Sequence, residues 1–222
     1  AAASDVYKRQ VSTVSQDSSA PDGFSKSLKI QCTTAETSVE NYEHARLMYD
    51  GEAFDFTDIG FGTSSAKKVT LSFWVKSNLT GTWGMNFWRG DANRSNLRTY
   101  TINNANTWER KTVTFTGDTS GTWLTSTNSG LKINFDLGSG SNFVAASTGA
   151  WLGTNDFITS NSVKFVANNA ATWYITGIQL QVGEIATPFE HRSYEDELQR
   201  CRRYYQLILD RTTDSGEASG LG

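Results

Sequence analysis

From Ser27 onward, apolar residues fall at every second position in short runs. In SLKIQCT (Ser27–Thr33), Leu28, Ile30 and Cys32 share one phase, the period of a half-buried strand. KKVTLSFWVKS (Lys67–Ser77) is the clearest case, with Val69, Leu71, Phe73 and Val75 set against Thr70, Ser72, Trp74 and Lys76. TWGMNFWR (Thr82–Arg89) sets Trp83, Met85 and Phe87 against Gly84, Asn86 and Trp88. Further strands are predicted at 45–50, 54–61, 97–102, 107–117, 131–138, 162–167 and 173–183. In the last, the alternation slips by one residue around Gly177, as a β-bulge makes it slip. Leu71, Phe73, Ile133, Phe135 and Leu180 are expected to be buried together.

These runs amount to about ten strands separated by clusters of Gly, Ser, Asn, Asp and Thr, with no helical period before Tyr194. The pattern predicts a mainly β fold: an antiparallel β-sandwich of jelly-roll form followed by a C-terminal α-helix. The expected division is a lead-in loop over 11–26, the jelly roll over 27–190, a connector helix over 191–211 and a small polar tail over 212–222. The segments 117–130 and 138–161 read as long loops, the kind that carry function or motion.

The switch from strand to helix has its own signals. Pro188 blocks continuation of the sheet. Ser193 is placed to cap a helix, with Asp196 three residues on. Acids (Glu195, Asp196, Glu197) precede arginines (Arg200, Arg202, Arg203), which complements the helix dipole. Tyr194, Leu198, Cys201, Tyr205 and Ile208 are spaced 4, 3, 4, 3, an apolar seam of about two heptads. The seam has two destinations: the chain's own sandwich, or identical helices in an oligomer.

Composition narrows the function classes. Aromatics make up 12% of the 222 residues, including seven Trp, so a sizeable core is available. A net charge of −3 offers no basic footprint for nucleic acid, and none is expected as a partner. No apolar run approaches the ~20 residues that span a bilayer, so no membrane association is expected. The two histidines, His44 and His191, stand outside any metal-ligand spacing, and no nucleophile elbow, P-loop or CxxC motif occurs. No cofactor, metal site or catalytic residue is expected, and the chain reads as a non-enzyme. The neighbouring acids Asp50 with Glu52, and Asp55 with Asp58, read as solvated turn residues. Cys32 and Cys201 are expected to be free thiols, Cys32 as a small buried hydrophobe in a strand.

The candidate chemistry lies in aromatics at polar-phase positions. Flat rings stack against the C–H faces of pyranose sugars, and neighbouring polar side chains orient the hydroxyls. Trp74, Trp88 and Tyr100 occupy the polar phase of three successive strands, with Arg89, Asp91, Asn93, Arg94 and Arg98 close in sequence. Trp74, Trp88, Arg89, Arg94, Arg98 and Tyr100 are therefore the candidate carbohydrate-binding set. The competing reading makes Trp74 and Trp88 a second layer of core. Trp123 and Trp151, in the long loops, form a second candidate platform or anchor those loops.

The run IQLQVGEIATPFEHRSYEDELQRCRRYY (Ile178–Tyr205) resembles the exit segment of jelly-roll domains in bacteriophage tail-fibre and related virion proteins. The resemblance covers about thirty residues closely and the preceding domain more loosely. It implies a carbohydrate-binding-module-like jelly roll located on the virion and thus extracellular, used for host attachment through a cell-surface glycan or for presenting a receptor-binding domain. It also implies a homotrimer, pairing of the 27–33 strand with the exit strand, and continuation into a further domain past the tail. The alternatives are a structural fibre spacer and a fragment of a polysaccharide depolymerase. At the other end, AASDVYKRQ (Ala2–Gln10) reads as the translation of a sequencing-library adaptor. Residues 1–10 are therefore expected to be an artefact of a metagenomic fragment and are left out of the fold.

Overall fold

The computed structural model describes residues 12–89 and 94–202. Two units are distinguished, divided between Pro188 and Phe189. The expected artefact at residues 1–10 lies outside the described residues, as do Asp91, Asn93, Tyr205 and Ile208.

The first unit is a jelly-roll sandwich of two five-stranded antiparallel sheets. Its strands are β1 (Ser12–Asp17), β2 (Ser27–Cys32), β3 (His44–Glu52), β4 (Val69–Ser77), β5 (Gly81–Arg89), β6 (Ser95–Ile102), β7 (Glu109–Phe115), β8 (Ser129–Ser139), β9 (Trp151–Leu152) and β10 (Thr172–Val182). The front sheet runs β1-β2-β10-β4-β7 and the back sheet β3-β8-β5-β6-β9. The exit strand β10 lies between β2 and β4, so the ends of the domain meet in one sheet. The register along β10 shifts between Thr176 and Gln179 around Gly177, which has φ 60°, at the expected bulge.

Alternation places the core. β4 turns Val69, Leu71, Phe73 and Val75 inward, and β5 turns Trp83, Met85 and Phe87 to meet them. Rings from opposite sheets interlock: Phe73 stands edge-on to Phe135 at 5.0 Å, and Phe87 stacks on Phe115 at 3.6 Å. Leu71, Phe73, Ile133 and Phe135 are buried as expected, and Leu180 packs half-buried against them. Both cysteines among the described residues are free, and Cys32 is fully buried.

Three segments differ from the sequence reading. Residues 12–17, expected within a lead-in loop, form β1, paired along its length with β2. Residues 54–61, expected as a strand, lie mostly in a 3-10 helix, Ala53–Ile59. Its buried residues, Ala53 and Ile59, are six apart, two full turns at three residues per turn, so its apparent alternation was incidental. Residues 162–167 form no strand: Ser162 makes a single parallel bridge to Thr82, and Phe165–Ala167 form a short 3-10 turn in which Phe165 and Val166 are both buried. Adjacent buried side chains do not fit a strand with one wet face.

Among the described residues of the second unit there is one helix, α1 (Tyr194–Arg202). The Ser193 hydroxyl accepts the Asp196 N–H at 3.2 Å, the expected cap. Arg200 lies 3.9 Å from Asp196 one turn earlier.

Candidate functional site

Antiparallel register decides which face each predicted residue occupies, because directly paired residues point to the same side. Trp88 and Trp74 lie on opposite outer faces of the sandwich. Trp88 is on the back sheet, between the Arg46 guanidinium at 5.2 Å and the Lys132 ammonium at 5.0 Å. Trp74, on β4 of the front sheet, is half-buried. Tyr100 pairs with Trp83 and is buried in the core, which corrects its expected outward placement. Arg98 pairs with Met85 and so also faces inward, its guanidinium 5.8 Å from the Phe115 ring. Burial lowers its pKa from the ordinary arginine value.

Arg89 and Arg94 are loop anchors. Arg89 donates to the Thr122 carbonyl at 2.8 Å. Arg94 makes a two-pronged contact with the buried Asp118 carboxylate and donates to Ser120. Asp118 also accepts from the Trp123 indole at 3.0 Å. Burial pushes the Asp118 carboxyl up, but the bonds from Arg94, Trp123 and Ser120 outweigh it and hold the pKa below the usual value. Trp123 and Trp151 close on Phe61, with centroids 5.0 and 5.5 Å away, as loop anchors. The six predicted residues thus do not form one surface.

The long 138–161 segment serves the fold. It lies on the outer face of the back sheet, where Asn86 donates to the Asp156 carbonyl at 2.7 Å and Ser95 to the Thr154 carbonyl at 2.8 Å. Gly84 permits this approach: any side chain there would collide with the Phe157 carbonyl oxygen. Leu97 is buried on that covered face. In the sequence it passes for an inward residue, which inverts the apparent phase of β6 and explains the misplacement of Tyr100 and Arg98.

The outer face of the front sheet carries the better constellation. Across it, Lys29 of β2 pairs with Tyr174 of β10, and Tyr174 pairs with Lys76 of β4. The Lys76 ammonium lies 4.2 Å from the Tyr174 ring and 5.2 Å from that of Trp108, just before β7. Lys29 approaches Tyr174 from its own strand at 5.7 Å. In the next row, Thr176, Trp74 and Arg110 stand side by side. Trp74, Trp108 and Tyr174 are all half-buried, each ring seated on the sheet with part of its surface toward solvent.

Two segments of the first unit flank this face. On one side, Ser19 accepts from Lys76 at 2.5 Å, and the Lys26 carbonyl accepts from Thr176 at 3.0 Å. On the other, Thr187 donates its N–H to Gln181 at 2.9 Å, and its carbonyl accepts from Arg110 at 2.5 Å. Thr187 and Pro188 therefore belong to the edge of this surface. Burial lowers the Lys76 pKa, an effect opposed by the Asp17 charge and reinforced by that of Lys29. Sequence reasoning found Trp74 but missed Trp108, Tyr174, Lys29, Lys76 and Arg110. The available signal was that Lys29, Lys76 and Tyr174 hold the polar phase of strands whose other phase is apolar; Trp108 precedes β7, and Arg110 shares β7 with Glu109 and Lys111 on the opposite phase, so neither carried that signal.

No protein-family model matches the chain, and no curated protein sequence matches it. Solved structures similar to it include the enzymatically active domain of tailspike protein 4 of bacteriophage CBA120, at 13% identity and a TM-score of 0.45 over 78% of this chain and 18% of that one. A xylan-binding domain from Paenibacillus barcinonensis gives 13% identity and a TM-score of 0.36, covering 80% of this chain and 85% of that one. The N-terminal cellulose-binding domain of a Cellulomonas fimi β-1,4-glucanase gives 10% and 0.40, covering 71% and 78%. At these scores the likeness lends this chain no ligand. Among the described residues, no helix is long and apolar enough to cross a membrane, and no group of three His, Cys, Asp or Glu side chains is placed to hold a metal ion.

Proposed function

We propose that the sandwich is a glycan-binding module of a virion protein, working outside the cell as a tail-fibre or related domain in host-surface attachment, without catalysis of its own. One observation carries the binding reading: Trp74, Trp108 and Tyr174 form a half-exposed aromatic platform on one sheet face, interleaved with Lys29, Lys76 and Arg110. Aromatic faces take sugar rings, and ammonium and guanidinium donors orient hydroxyl groups. The reading rests on these side chains and not on fold likeness. The virion setting is supported by the Ile178–Tyr205 run, as is a homotrimeric assembly through the apolar seam. Two buried carboxylates with shifted pKa values have structural employment: Asp118 holds Arg94 and Trp123, and Asp136 is buried beside Ser139.

A glycan array tests the proposal. The protein is expected to be retained by a subset of surface glycans. Trp74→Ala and Trp108→Ala should each weaken retention about tenfold, the scale of one aromatic contact, with the thermal midpoint unchanged within a few degrees. Loss of the platform reading follows if no glycan is retained, or if both variants bind as the parent does.

A further inference from the structure

We infer that the glycan taken by this platform is acidic: a sugar bearing a carboxylate or sulfate whose anion docks at Lys76 and Arg110 beside the Trp74 ring. The inference rests on the platform being a glycan site and adds its ligand class. Lys76 is two residues from Trp74 on the same face of β4, and Arg110 is directly opposite Trp74 on β7. Cross-strand partners have Cβ atoms roughly 5 Å apart and i, i+2 neighbours roughly 7 Å apart. Two cations therefore stand within about one sugar ring of the stacking surface.

Among the described residues, neither cation is held in a close ion pair, although the Asp17 carboxylate acts on Lys76 at longer range. Lys29 lies 3.8 Å from Asp17, whereas neither Lys76 nor Arg110 has a carboxylate within ion-pair distance among the described residues. Both are nevertheless held in place by neutral oxygen acceptors. Lys76 donates to Ser19 and lies between Tyr174 and Trp108; Arg110 donates to the Thr187 carbonyl and, at 3.5 Å, to Ser72. An ammonium has three donors and a guanidinium five, so each retains unused donors. Two preoriented cations, neither with a carboxylate within ion-pair distance among the described residues, thus stand beside the platform. They suit an anion, with the guanidinium able to take it two-pronged.

The test uses paired immobilised probes: polygalacturonate against its methyl ester for carboxylate, and dextran sulfate against dextran for sulfate. The full chain should be retained about tenfold better by at least one acidic member, the scale of one charge-assisted hydrogen bond, and the preference should weaken with added salt. The pair that shows the preference identifies carboxylate or sulfate. Lys76→Met and Arg110→Met keep the aliphatic stems and should each reduce the preference. Trp74→Ala should weaken retention of the acidic member as well. Equal retention of acidic and neutral members overturns the acidic inference and leaves the platform standing. Retention of dextran sulfate that is indifferent to Trp74→Ala is ion exchange only and also overturns it, as does a preference surviving in the Lys76→Met, Arg110→Met double variant. If none of the four probes is retained, the acidic inference falls, and the array decides the platform by itself.

Discussion

The indole N–H of Trp173 on β10 donates to the phenol oxygen of Tyr100 on β6 at 3.2 Å, joining the two sheets inside the core. Both side chains are buried. Burial drives the Tyr100 hydroxyl far above the ordinary phenol value, with the Trp173 bond opposing that shift.

Tyr100→Phe should therefore destabilise the sandwich by ~1–3 kcal/mol, because it strands a buried N–H. Phe73→Ala should cost more, about 3–5 kcal/mol, through the cavity it leaves. Urea denaturation of both variants checks the order. A Tyr100→Phe protein as stable as the parent would mean that the inter-sheet bond contributes nothing net.

Two buried acids bend the pH profile in opposite directions. Asp118 has a folded pKa held below its unfolded value of about 3.9, so its stabilisation is complete above that pH and lost as pH falls through the folded value. Asp136 is the reverse. Burial, opposed by Ser139, the Gly138 N–H, Arg46 and Lys164, pushes its pKa up to about 7. The folded state then binds the proton more tightly, so this group lowers stability as pH rises from about 4 to about 7. Asp136→Asn should flatten the profile in that window. An unchanged slope in denaturation midpoints between pH 4 and 7 would remove Asp136 as its source.

Trp88 provides a control for the binding site. It lies on the opposite sheet from Trp74, held between Arg46 and Lys132. Trp88→Ala is expected to leave glycan retention as in the parent, while Trp74→Ala weakens it. The opposite result on the same array would move the site to the back sheet.

The connector carries the proposed trimer. Within α1, Tyr194, Leu198 and Cys201 mark one seam, and a nine-residue helix by itself is marginal in water. Light scattering should give three chains for the parent and one for Leu198→Asp, with the melting of the sandwich nearly unchanged. A monomeric parent would dispose of the trimer.

Legibility in the sequence followed the polarity of the residues on each strand's outer face. β4 sets Thr70, Ser72, Trp74 and Lys76 on its outer face, and β10 sets Tyr174 and Thr176 there, so their alternation, even the Gly177 slip, reads directly from the chain. That of β6 does not, because the 138–161 segment covers its outer face and buries Leu97 there. A strand buried on both sides loses the period-two signal, and Tyr100 and Arg98 were misplaced for that reason. β1 was missed because STVSQD has little apolar content, and its pairing with β2 supplies what its composition does not.

The residues alone thus established the class of fold, the inward set of β4 and β5, the bulge, the capped helix and the presence of surplus aromatics. These depend on local period and on neighbours within a few positions. Tertiary structure decided which aromatics share a surface. Tyr174, Lys76 and Trp108 are separated by dozens of residues and meet because β10 and β7 flank β4. Strand order is set by which pairings close the core, and no local pattern encodes it.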